Sequence, residues 1–119
     1  GAWLNHLFSD SRNKKERFIT AYVTFRDAFI PTIQIINKTL GNPDDFENFP
    51  THFNGQESAM YAFRGNLKGR PLRLFDKKWQ EYKKWQEAFN TYEMCVYNVC
   101  TQGREIIDLI NEILEIAKK

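Results

Sequence analysis

From Phe18 to Leu40 the apolar residues Phe18, Tyr22, Phe25, Phe29, Ile33, Ile36 and Leu40 recur in steps of four, three, four, four, three and four. Only an α-helix gathers such a series on one face, because its 3.6-residue turn returns to the same side at every third or fourth position. Ile19, Val23 and Ile30 widen the stripe, which predicts neighbours on two sides of this helix. Pro31 lies inside the pattern. It lacks a backbone donor and crowds the carbonyl of Asp27, so a kink near Ile30 is expected. Gly41, followed by Pro43, supplies the stop.

The rest of the chain repeats the theme. Asn54-Gly55-Gln56-Glu57 has the form of a relaxed capping box and opens a helix with Met60, Phe63 and Leu67 on one face, ending at Gly69. Pro71 then takes a favoured early position in a helix striped by Leu72, Phe75, Trp79, Tyr82 and Phe89, with Trp85 beside the stripe. Residues 90–100 are rich in strand formers, yet Tyr92, Val96 and Val99 continue a helical stripe, and a lone strand would have nothing to pair with. Thr101 is a candidate cap and Gly103 a break before the apolar run Ile106 to Ile116. Between Gly41 and Asn54, Phe46, Phe49 and Phe53 pin a loop to the body. The expected architecture is all-α: an antiparallel bundle of about four helices, residues 1–119 as one domain, with a Phe-rich loop packed over one end. At 119 residues and 15% aromatic content, the chain can bury roughly two-thirds of its extended surface.

The charges, 17 Lys/Arg against 15 Asp/Glu, are nearly balanced overall but unevenly placed. Ala2-Trp3-Leu4 and Leu7-Phe8 precede Arg12, Lys14, Lys15 and Arg17. Trp settles at the headgroup level of a bilayer and Lys/Arg mark its cytoplasmic side. Residues 1–8 therefore fit the end of a membrane-proximal helix, with Trp3, Arg12, Lys14 and Lys15 nearest the membrane. They also fit the start of an ordinary amphipathic helix. No run of 18 apolar residues occurs in the sequence itself.

The second concentration is Arg64 to Lys84, where Arg64, Lys68, Arg70, Arg73, Lys77, Lys78, Lys83 and Lys84 face only Asp76 and Glu81. Arg64, Lys68, Arg73, Lys77, Lys78 and Lys84 are the candidate contacts for an acidic protein partner or an anionic membrane surface. A nucleic-acid module is the alternative. It is disfavoured because helical spacing sets Trp79, Tyr82 and Trp85 on or beside the apolar stripe and the lysines opposite, whereas base stacking needs both exposed together. The acidic stretch from Asp44 to Glu57 is a further candidate to pair with this face within the chain.

Catalytic constellations are missing from the sequence. His6 and His52 have no ligand-spaced neighbours, and no HExxH, P-loop or GxSxG pattern occurs, so no catalytic residue, metal or cofactor is assigned. His52 reads as a loop residue hydrogen-bonded to backbone, and an enzyme with an unrecognised site near it is the remaining alternative. Cys95 and Cys100, five residues apart, lie about 140° apart on a helix and are not placed for a local bridge. Arg26 and Asp27, being adjacent, are not expected to share a helix face.

Phe25-Arg26-Asp27-Ala28-Phe29, Phe49-Pro50-x-His52, Ala59-Met60-x-x-Phe63-Arg64-x-x-Leu67 and Arg73-x-Phe75-x-x-x-Trp79-x-x-Tyr82 together resemble a group of uncharacterised bacterial proteins. These have an N-terminal membrane helix and a small cytoplasmic helical domain. The resemblance covers Phe18 to Tyr82. It implies a membrane helix ahead of residue 1 and a place on the cytoplasmic side of the bacterial inner membrane, and it brings no activity or catalytic residues. A purely cytoplasmic protein is the other expectation. With the residues, it leads to a non-enzymatic accessory or protein-interaction domain in which Phe25 and Phe29 meet Phe63, Phe75 and Trp79, and Arg26 and Arg64 lie along the rim.

Overall fold

The computed structural model describes residues 2–38 and 48–118, the side chains of residues 2–11 excepted. Among the described residues all regular structure is helical: α1 (Ala2–Asp27), α2 (Ile30–Asn37), α3 (Phe49–Arg64), α4 (Gly69–Ala88) and α5 (Tyr92–Ala117). α1 and α2 form one interrupted arm, so the all-α bundle has four limbs. The expected stop at Gly41 and Pro43, and Phe46, lie outside the described residues.

The interruption follows from Pro31. Its ring nitrogen cannot donate to the Asp27 carbonyl, and the chain closes α1 early with two tight bonds. Ala28 N–H donates to the Phe25 carbonyl at 3.2 Å and Phe29 N–H to that of Arg26 at 3.0 Å. α2 restarts with Ile33 N–H donating to the Phe29 carbonyl at 3.0 Å, leaving Pro31 in a first turn, where no donor is needed. The expected kink is thus a full break, centred on Ala28 and Phe29. It also lets two adjacent residues pair against expectation: Arg26 reaches Asp27, the last residue of α1, at 3.3 Å.

α3 begins at Phe49, five residues before the expected cap at Asn54. Pro50 in its first turn is the cause, and the His52 N–H already donates to the Asn48 carbonyl at 3.0 Å. Asn54 and Gly55 are therefore exposed mid-helix positions. Phe49 and Phe53, expected on a loop, are one helical turn apart and stack at 5.5 Å. They still cover one end of the bundle, against Phe89 at 5.0 and 5.6 Å, but a helix carries them. α3 ends at Arg64, and Gly69, expected as its stop, instead opens α4 with a φ of 62° that glycine adopts without a Cβ clash.

Residues 92–100 are helical, as the stripe predicted. The Thr91 hydroxyl accepts from the Met94 N–H at 3.1 Å and caps α5. Within α5, Gln102 leaves helical geometry (φ −136°, ψ 16°). Thr101 does not cap a new helix there; its hydroxyl donates back to the Tyr97 carbonyl at 2.7 Å. Gly103 is at this kink for a packing reason, since a Cβ on it would lie 2.8 Å from Cγ2 of Ile36. The missing side chain lets α2 press directly on α5.

Contacts fix the directions. Phe63 meets Phe18 while Gln56 meets Thr32, so the arm and α3 are antiparallel. Arg64 meets Asp76 while Gln56 meets Tyr82, reversing α4 on α3, and Lys78 meets Glu112 while Asn98 meets Ala88, reversing α5 on α4. Among the described residues, the α4–α5 interface is the most extensive. Phe63 is the aromatic hub, with ring centroids 5.8 Å from Phe18, 5.1 Å from Phe25 and 6.1 Å from Phe75. Phe25 meets Phe75 at 5.5 Å and Phe29 meets Trp79 at 6.3 Å, as expected from the stripes. Each fully buried ring contributes about 1.5–3 kcal/mol, and a well-placed pair of rings about 0.5–1.5 kcal/mol more. The arm meets α3 at Phe18 and α5 at Ile36, whereas Ile19 and Ile30, which widen its stripe, are 51% and 41% exposed.

Candidate interaction surface

The apolar stripe of α4 fixes where its charges go. Phe75, Trp79 and Tyr82 are buried, so the residues about half a turn away project into solvent. These include Arg70, Arg73, Lys77 and Lys84, all exposed and, among the described residues, without an ion-pair partner. At about 1.5 Å per residue they make a basic ridge roughly 21 Å long. Lys83 is exposed on its flank and Lys68 in the turn ahead of it.

Two of the expected contacts are taken up inside the molecule. Arg64 donates from Nε and a terminal nitrogen to the two oxygens of Asp76, at 2.9 and 2.7 Å. This fork holds the guanidinium above its ordinary pKa. Lys78 bonds Glu112 at 2.9 Å and also reaches Glu81 at 3.5 Å, and the Glu112 bond foremost keeps its ammonium protonated to higher pH. Beside it an open groove of about 660 Å³ runs between α4 and α5, lined by Leu74, Asp108, Asn111, Glu115 and Ile116 among others. Among the described residues, the carboxylates that pair with this segment are Asp76, Glu112 and Glu81, and of the acids in the Asp44–Glu57 stretch only Glu57 is described. Lys78 and Glu112 come from helices that only the fold brings together, so no local sequence signal marks them. Arg70 was not among the expected contacts, although its three-residue offset from Arg73 does mark it.

The aromatics of this segment take no part in the surface. Trp79 is 4% and Tyr82 0% exposed. The Tyr82 hydroxyl donates to Gln56 Oε1 at 2.6 Å, and Gln56 Nε2 donates to the Thr32 hydroxyl at 2.7 Å, tying α4, α3 and α2 together in the core. Burial raises the Tyr82 pKa well above its usual range, the neighbouring polar side chains of Gln56, Thr32 and Gln86 only partly opposing it.

The membrane-proximal candidates divide. Arg12, Lys14 and Lys15 are exposed on α1, together with Asn13, Glu16 and Arg17, so this stretch of helix has no covered face. The Trp3 side chain lies outside the described residues. Among those described, no helix is long and apolar enough to cross a membrane.

His52 is half-buried in the first turn of α3, and its Nδ1 is shielded from solvent with no hydrogen-bond partner among the described residues, in place of the expected backbone bond. Cys95 is buried, which pushes its thiol pKa up, while Cys100 is exposed, and the two are not bridged. Among the described residues, no three His, Cys, Asp or Glu side chains converge as metal ligands would.

No family model, curated protein or solved structure matches this chain.

Proposed function

We propose that this chain is a non-enzymatic interaction domain on the cytoplasmic side of a bacterial membrane, and that it presents the α4 ridge to an acidic segment of a partner protein. The observation that carries this reading is the sorting of its cations. Arg64 and Lys78 are bound to carboxylates of the fold, whereas Arg70, Arg73, Lys77 and Lys84 stand exposed on one face with no ion-pair partner among the described residues. Offsets of three, seven and fourteen residues from Arg70 follow the helical period, so an acidic helix laid alongside meets successive cations. Such a surface acts first on encounter, by drawing in opposite charge, and then adds a modest increment per rim contact. The exposed cations of α1 support the membrane-side placement. Burial of Trp79 and Tyr82 favours a protein over a nucleic acid, since neither ring is free to stack on a base.

The test is binding of a labelled helical peptide with glutamates at every third or fourth position, followed by fluorescence anisotropy. Affinity should fall as salt rises, and Lys77→Glu with Lys84→Glu should weaken it about tenfold or more. Unchanged affinity in that variant overturns the ridge as the docking surface. Tighter salt-sensitive retention on single-stranded DNA than on the peptide would put the nucleic-acid reading in its place.

A further inference from the structure

Several segments meet at one end of the bundle. Phe63, in the last turn of α3, packs on Phe18 and Tyr22 of α1. Leu67 is buried in the turn that follows, and α4 starts at Gly69. The groove beside Lys78 sets Leu74 against Glu115 and Ile116, so the last turn of α5 lies by the second turn of α4. Lys118 is within electrostatic range of Tyr22 and Arg26. α1 therefore leaves the bundle at this end, and from Arg17 back to Arg12 each of its side chains is exposed.

Cations collect there. The body supplies Lys68 and Arg70, both exposed, and α1 supplies Arg12, Lys14, Lys15 and Arg17 with Glu16 as the acid among them. At about 100° per residue, positions 12, 14, 15 and 17 point to all sides of the helix. A partner protein docks on one side of a helix; a sheet of headgroups surrounds it. The opposite end, where Phe49 packs on Phe89, is built from residues 48–57 and 85–103, and these contain Glu57, Glu87 and Glu93 but no Lys or Arg. Lys38 at the end of α2 and Arg104, which shares an open groove with Asn37, are the cations described nearest to that end.

We propose that the end of the bundle from which α1 leaves is apposed to an anionic bilayer, with Lys68 and Arg70 reaching headgroups from the body while Arg12, Lys14, Lys15 and Arg17 form a collar around α1. This rests on the membrane-side reading and adds an orientation to it: the α4 ridge then runs up from the lipid surface and stays open to a protein partner.

The experiment is co-sedimentation of the full chain with phosphatidylcholine vesicles that either lack or contain phosphatidylserine. The parent should bind the anionic vesicles, lose them at high salt and ignore the neutral ones. Each end cation should contribute up to about fivefold in affinity, so Lys68→Glu with Arg70→Glu should reduce binding more than tenfold. Lys83→Glu with Arg104→Glu, an equal change of charge at exposed sites elsewhere, should leave most of it. Equal losses in the two variants, or no loss in the first, overturn the orientation while leaving membrane-side placement standing. A parent that does not distinguish the two vesicle types overturns that placement as well.

Discussion

The arm and the α4–α5 hairpin are built from the same material, long amphipathic helices with aromatic stripes, and end in different states. The hairpin is buried along its whole inner face, from Phe75 on α4 to Phe89 just past its end and from Cys95 to Ala117 on α5. Among the described side chains the arm is anchored from Phe18 onward, is broken at Ala28 and Phe29, and has no covered face from Arg12 to Arg17. The difference tracks the stripe. Where aromatic residues recur with helical spacing the helix is held, and where the spacing carries only charge it projects. A helix that is polar all round gains nothing from the core, so the charges on the free part of α1 are available for contact, whereas those of Arg64 and Lys78 are already paired within the fold.

The largest break in this comparison should come from Phe63. Its ring holds Phe18, Tyr22 and Phe25 of the arm against Phe75 of the hairpin. Phe63→Ala should lower stability by about 3–5 kcal/mol in urea denaturation. A loss below about 1 kcal/mol would mean that the arm is not held by this hub.

A smaller effect is expected where the arm and hairpin share polar atoms. Tyr82→Phe leaves Gln56 Oε1 without its donor in a buried site, which should cost about 1–3 kcal/mol. The same hydroxyl gives the molecule a pH dependence of definite sign. Below about pH 10, the ordinary tyrosine pKa, it is protonated both folded and unfolded. Above that, the unfolded chain releases the proton while the folded chain, whose Tyr82 pKa is raised by burial, retains it. The unfolded state then binds fewer protons, so stability falls as pH rises. Denaturant midpoints measured on either side of pH 10 should show the fall in the parent and a shallower one in Tyr82→Phe. Equal slopes would assign the alkaline loss to other groups.

What is legible in the amino-acid sequence divides along physical lines. Periodicity determines which face a helix buries, and it is enough to bring Phe25 and Phe29 against Phe63, Phe75 and Trp79. Boundaries depend on finer chemistry. Asn54 has the side-chain atoms of a cap, but Pro50 already satisfies the first turn and the helix begins at Phe49. The basic segment is visible as composition, and its division into bound and unbound cations is not. The bond from Lys78 to Glu112 spans two helices, and local spacing carries no information about it. The uncovered flank at Ile19 and Ile30 escapes for the converse reason: apolar residues announce that burial is favourable, not that a partner is present.

Gly103 is the finest joint between the two regions and sets the smallest expected effect. Helix propensity alone favours alanine there by about 1 kcal/mol. Packing opposes it, because the added Cβ would lie 2.8 Å from Ile36 Cγ2. That methyl belongs to a β-branched side chain with little χ1 freedom, and Ile36 is 4% exposed. Relieving the overlap means shifting α2 against α5, an overpacking cost of about 1–3 kcal/mol that should outweigh the propensity gain and leave Gly103→Ala about 1 kcal/mol less stable. The sign alone does not identify the cause, but the pair does. In an Ile36→Ala background the obstructing methyl is gone, so the same glycine substitution should become neutral or stabilising, a non-additivity of about 1 kcal/mol or more in a double-mutant cycle. Additive losses would show that the arm does not rest on the hairpin at this point, and that Gly103 serves only the kink at Gln102.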